Sequence, residues 1–227
     1  MSEFEARVEQ FTAAHHCVGI AVGVVRPGLP VTTINRGVAS LADRVPIDSR
    51  SVFRAGSISK LFTAIAVMQL VEEGVLGLDD PANSHLRRFE LRTPTDGTDI
   101  TLRQLLTHTS GIGELRRPTD LLRPVIGMAA KPGRPIPDLG EYYAPALTAH
   151  TPAADRWAYA NHGFATLGAI VEDLTGEAFA SRIQRTILDP LGMQHSDFVR
   201  TDRVTERLVD GHARRFGRPT RVEDLDI

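Results

Sequence analysis

Cysteine is nearly absent from this chain. Cys17 is the only one among 227 residues. No intramolecular disulfide can form, and a lone cysteine beside Val18 in an apolar segment reads as a buried free thiol. Lysine is almost as scarce: of 26 basic residues only Lys60 and Lys131 are lysine. The net charge of −2 leaves no global field to attract nucleic acid. No apolar run is long enough to span a bilayer. The acidic start Met1-Ser2-Glu3-Phe4-Glu5 has neither the cationic nor the apolar region of a secretion signal. The adjacent His15 and His16 cannot share a helix face, and no further ligand lies nearby, so they do not suggest a metal site. These absences predict a soluble, cytoplasmic protein with no nucleic-acid partner, no membrane partner, no metal and no cofactor. What remains is ordinary globular composition, 42% hydrophobic and 24% charged, at a length suited to a single domain, residues 1–227.

Against that background the stretch Gly56-Ser57-Ile58-Ser59-Lys60 stands out. Gly56 allows a permissive backbone just before Ser57. Residues 60–73 are rich in Leu, Ala, Met, Gln and Glu, which favour helix. Leu61, Ile65, Met68 and Val71 fall near helical spacing and predict one apolar stripe, with Gly74 as the C-terminal cap. Ser57 and Lys60 are then one turn apart on one face, at the positive end of the helix dipole. A serine hydroxyl becomes nucleophilic when a neighbouring base takes its proton. Lysine can be that base when desolvation or nearby positive charge lowers its pKa, whereas arginine cannot. In a chain this biased to arginine, the lysine at position 60 is notable. The same pattern also fits an N-capping serine followed by a snorkelling lysine.

The rest of the chain gives the frame. Phe4, Val8 and Phe11 predict an amphipathic helix over 3–15. Residues 18–25 are β-branched and short, which predicts a buried strand. Residues 26–30 carry turn chemistry and 31–35 the return strand of an antiparallel hairpin. Asp80 before Pro81 suggests a short helix start. Thr101 opens a short helix that ends in the loop His108-Thr109-Ser110-Gly111. His108 reads as a structural histidine bonded to the loop backbone, with a catalytic role as the alternative. Residues 112–155 read as a long irregular loop with at most short helices. Phe164, Leu167, Val171 and Leu174 mark a helix closed by Gly176, followed by a second helix over 177–188. Residues 211–222, split by Gly217-Arg218-Pro219, suggest a small hairpin.

Four stretches occur in a telling order: Ser57-Ile58-Ser59-Lys60, Leu105 to Gly111, Tyr159-Ala160-Asn161, and Asp189-Pro190-Leu191-Gly192-Met193. Together they resemble the serine β-lactamase-related superfamily, which includes class C-type β-lactamases, D-alanyl-D-alanine carboxypeptidases and esterases. Tyr-x-Asn in place of Ser-Asp-Asn places the likeness nearer the class C and esterase side. The resemblance covers roughly residues 15–215. It implies an α+β, β-lactamase/transpeptidase-like fold: an antiparallel sheet packed with helices, plus a mostly helical lobe at roughly 75–195. It also implies roles. Ser57 would be the acylated nucleophile, Lys60 a base or proton relay, and Tyr159 a second acid/base. Asn161 would bind Lys60 and the acyl side of the substrate, and the Ser57 N–H would supply half an oxyanion hole. Taken singly, Tyr159 would read as a core tyrosine with a tethered hydroxyl.

One departure bears on activity. The family's third motif, commonly Lys-Thr-Gly or His-x-Gly on a late strand of the central sheet, is not found after Tyr159. The expectation is therefore a domain incomplete at its C-terminus, with the late sheet strands missing from this chain. Self-association or a completing polypeptide would cover the exposed hairpin edges. The function expected is a serine hydrolase acting through an acyl-enzyme on a small-molecule ester or amide, with carboxylic esters ranked first. The alternative is a weak or inactive module that binds a ligand or partner through the same cleft.

Overall fold

The computed structural model describes residues 3–94, 99–114, 137–154, 156–215 and 218–222. Among these the helices are α1 (Glu3–Ala14), α2 (Ser59–Glu72), α3 (Leu102–Leu106), α4 (Leu139–Tyr143), α5 (Asn161–Thr175), α6 (Phe179–Ile183) and α7 (Asp202–Thr205). The strands are β1 (Gly19–Val24), β2 (Thr32–Gly37), β3 (Glu90–Arg92), β4 (Ala146–Thr148), β5 (His212–Arg215) and β6 (Arg218–Arg221). They fall into two compact units, Met1–Arg54 with His195–Asp224, and Ala55–Gln194.

In the first unit β1 and β2 form the antiparallel hairpin that the sequence predicts, in register from Gly19 opposite Gly37 to Val24 opposite Thr32. Ile34 on β2 and Val8 on α1 are buried. β1 itself is not the buried strand expected. Ala21 and Gly23 are exposed while Ile20, Val22 and Val24 are half-covered. A two-stranded ribbon has one covered face, so burial alternates. Cys17 is likewise half-buried rather than buried. The segment after 195 is tied in by backbone bonds: Val52 N to Arg207 O and Val209 N to Val52 O, each 2.8 Å, and Asp210 N to Ala39 O, 2.9 Å. β5 and β6 pair antiparallel, as residues 211–222 suggest.

The second unit is built on helix packing. α2 follows a 3₁₀ turn, Gly56–Ile58, so Ser57 sits in that turn and Lys60 in the first turn of α2. The buried side of α2 is Thr63, Ala66, Val67 and Leu70. The predicted stripe is a different face: Leu61 is 59% and Met68 44% exposed, with Ile65 and Val71 half-covered. Apolar residues surround this helix, so spacing could not choose its inner side; α5 and α6, which pack on it, do. α5 buries Leu167, Ile170 and Val171 and begins at Asn161, three residues before the first apolar marker in the sequence.

α3 carries a full capping box. Gln104 N donates to Thr101 Oγ1 at 3.3 Å, and Thr101 N donates to Gln104 Oε1 at 2.9 Å. The single helix expected over 177–188 is instead α6 continued by a π-helical turn, Gln184–Leu188. There Gln69 Nε2 donates to Thr186 O at 3.2 Å. The short helix expected after Asp80 is a 3₁₀ turn, Ala82–Ser84, capped by Pro81. The segment read as an irregular loop contains α4 and β4, and β4 pairs in parallel with β3. Residues 115–136 of that segment lie outside the described residues. Arg88 links this pair to α5, bonding Asp173 at 2.9 Å and Glu172 at 2.8 Å. No helix among the described residues is long and apolar enough to cross a membrane.

Candidate active site

Three segments of the second unit converge at Ser57: the 3₁₀–α2 junction, the loop after α3, and the extended residues that lead into α5. Ser57 Oγ lies 2.7 Å from the Tyr159 hydroxyl. Lys60 Nζ donates to Ser57 Oγ at 3.3 Å and to Asn161 Oδ1 at 2.5 Å. All four residues that the sequence reading named are thus within one hydrogen-bonded cluster. The local folding explains this. The i, i+3 relation aligns Ser57 with Lys60. On the other side, Ala160 is extended, with φ −143° and ψ 104°, and α5 starts at Asn161. Tyr159 and Asn161 flank one residue of extended chain, so both reach the same site.

The electrostatics favour proton exchange. Burial pushes the Tyr159 phenol up, but hydrogen bonds with Lys60 and Ser57 and the Lys60 charge hold it below the ordinary tyrosine value, with Glu114 opposing. Lys60 Nζ also lies 4.9 Å from the centre of the Tyr159 ring and 5.7 Å from that of Phe164, within cation–π range.

His108 sits under this cluster. Its Nδ1 accepts a hydrogen bond from Ala160 N at 3.1 Å, and its carbonyl accepts from Ala158 N at 2.8 Å. It therefore binds backbone on both sides of Tyr159, in keeping with the structural role read from the sequence. Its ring lies 4.6 Å from Tyr159, 5.1 Å from Phe164 and 5.9 Å from the exposed Trp157. Gly111 shapes the same loop: its φ is +76°, and a Cβ there would stand 2.1 Å from Thr151 O.

Sequence reasoning missed Glu114. Its carboxylate accepts from Asn161 Nδ2 at 2.6 Å and from Asn161 N at 3.3 Å. The available signal is slight: Glu114 is the one carboxylate between Asp99 and Asp120, just after Gly111-Ile112-Gly113. Among the described residues no group of three or more His, Cys, Asp or Glu could hold a metal ion.

Comparison with known proteins gives the family. A family model described as Beta-lactamase matches residues 4–226. Penicillin-binding protein 4 of Amycolatopsis lactamdurans is 28% identical over 221 residues, covering 95% of this chain and 54% of that protein. Among solved structures, the octameric penicillin-binding protein homologue from Pyrococcus abyssi aligns with a TM-score of 0.76 at 27% identity, over 98% of this chain and 52% of that one. EstCE1, described as a hydrolase with promiscuous acyltransferase activity, aligns with a TM-score of 0.80 at 24% identity, over 97% and 58% of the two chains, a likeness of fold. The chain thus spans about half the length of these proteins.

Proposed function

Because the chain belongs to the beta-lactamase family, we propose that it is a serine hydrolase in which Ser57 is acylated by a small ester or amide. The observation that carries this reading is the position of Ser57 Oγ, 2.7 Å from the Tyr159 hydroxyl and 3.3 Å from Lys60 Nζ. Tyr159 is the nearer group, and its phenol is held below the ordinary value. In this reading the phenolate accepts the Ser57 proton as Oγ bonds to the acyl carbon. Lys60 steadies the negative oxygen and is itself held by Asn161. As the tetrahedral intermediate collapses, the bond to the leaving group breaks and Tyr159 returns the proton to it. Water then attacks the acyl carbon and gives a proton to Tyr159; the bond from that carbon to Ser57 Oγ breaks, Tyr159 returns the proton to Oγ, and the acid is released. The Ser57 backbone N–H would be one oxyanion donor.

Carboxylic esters come first among substrates, because an alkoxide or phenoxide departs with less protonation than an amine. The test is intact mass after incubation with a fluorophosphonate or a penicillin. A stoichiometric adduct on Ser57, absent from Ser57→Ala, is the expected result, together with p-nitrophenyl ester turnover lost in the same variant. Folded protein that takes no adduct from either reagent overturns the hydrolase reading and leaves a ligand-binding cleft in its place.

A further inference from the structure

We infer that Glu114 is a positioning residue whose carboxylate fixes the Asn161 side-chain amide in the orientation that turns Oδ1 toward Lys60. An asparagine amide has two ends of nearly equal size and opposite hydrogen-bonding character, so its neighbours decide which way it points. Here one end meets Lys60, which can only donate, and the other meets Glu114, which as a carboxylate can only accept. Both bonds are short, 2.5 Å to Lys60 and 2.6 Å to Glu114. The second oxygen of Glu114 accepts from Asn161 N at 3.3 Å, so the carboxylate grips backbone and side chain together. Exchanging the amide ends would set donor against donor at Lys60 and acceptor against acceptor at Glu114.

The loop is made to hold this carboxylate in place. Ile112 is 1% exposed and anchors the segment in the core. Gly111 and Gly113 on either side both have positive φ. Glu114 bonds Asn161 and neither Ser57 nor Lys60, so it acts through Asn161. The chain of contacts runs Glu114, Asn161, Lys60, Ser57. The hold on Asn161 stands by itself; its effect on reactivity rests on the hydrolase reading.

One experiment separates the two. The Asn161 side-chain amide is followed by nitrogen–proton NMR, assigned by its loss in Asn161→Ala, while fluorophosphonate labelling of Ser57 is timed in parallel. In the wild-type chain the amide proton facing Glu114 should be shifted downfield by its charge-assisted bond. In the isosteric Glu114→Gln the shift should vanish, and labelling should slow by up to about 10²-fold, the scale of a misplaced catalytic group. A role in packing alone predicts no change, because glutamine keeps the shape. Glu114→Asp, which keeps the charge but draws the carboxylate back by one methylene, should move the same resonance, which keeps the test decisive if Glu114→Gln does not fold. An amide signal indifferent to both changes overturns the inference, even with full labelling. A wild type that takes no label rejects the hydrolase reading, and the amide signal still decides the role of Glu114.

Discussion

His108 has φ +59° and bonds the backbone through both its ring and its carbonyl. Its Nδ1 is an acceptor toward Ala160 N, so the neutral ring fits the site and the protonated ring does not. Its pKa is accordingly held below the ordinary value, by burial first and by Lys60 next, with Glu114 opposing. The unfolded chain takes up this proton at about pH 6.5, the folded chain only at lower pH. Folding stability should therefore fall as pH drops below about 6.5, until the folded ring also titrates. Asparagine tolerates left-handed backbone and offers an acceptor oxygen, but does not titrate. His108→Asn should flatten that part of the stability curve, read by urea unfolding at a series of pH values. An unchanged difference between wild type and variant across pH 5–7 would disprove it. At this scale Ser57, Lys60, Tyr159 and Asn161 were legible because their short patterns occur in the order of a known family; taken singly, a capping serine and a core tyrosine fit as well. Glu114 was not, because its partner stands 47 positions away in the chain and no local pattern demands a carboxylate there.

Elements were legible where a local signal existed. Thr101 and Gln104 cap α3 as a pair, and Gly74 and Gly176 close α2 and α5 with positive φ. They were illegible where tertiary contacts decide. The inner face of α2 is chosen by its partners, β3 and β4 are three residues each, and the π-helical turn after α6 has no sequence mark of its own. The loop that carries His108 and Glu114 is such a tertiary element, and Gly111 is its tightest point. Gly111 O accepts from His150 N at 2.8 Å and from Thr151 N at 3.3 Å. A side chain there meets both left-handed backbone and the Thr151 carbonyl. Gly111→Ala should cost at least about 1–3 kcal/mol, the usual range for forced backbone strain. It should also weaken Ser57 labelling, because His108 and Glu114 move with the loop. Denaturant unfolding beside labelling checks this; a variant as stable as wild type would show that the loop relaxes freely.

For the molecule as a whole, the β-lactamase-like fold was legible because four motifs recur in order, and no single one would have sufficed. The surface was less legible, since exposure depends on what packs where. β1 and β2 pair with each other and with no other named strand among the described residues. A lone strand pair is marginal in water, and its outer edges present unpaired N–H and C=O groups. Val25, Leu29 and Val31 around its turn are 76%, 56% and 58% exposed. On the other unit Ile58, Leu61 and Met68 are also exposed. Association would take such side chains out of water. We propose that the chain associates with itself through the hairpin around residues 18–35, by adding strand to strand. Light scattering should then give a mass above the 24.8 kDa of one chain. Lysine is what natural edges use to prevent such pairing. Ala21 and Thr33 both point outward on these strands. The double variant Ala21→Lys, Thr33→Lys should lower the mass to that of a single chain while circular dichroism stays unchanged. If the wild-type chain is a stable, monodisperse monomer, the hairpin needs no partner and the proposal fails. If it is larger but indifferent to the lysines, the contact lies elsewhere, and the exposed face of α2 is the next surface to charge.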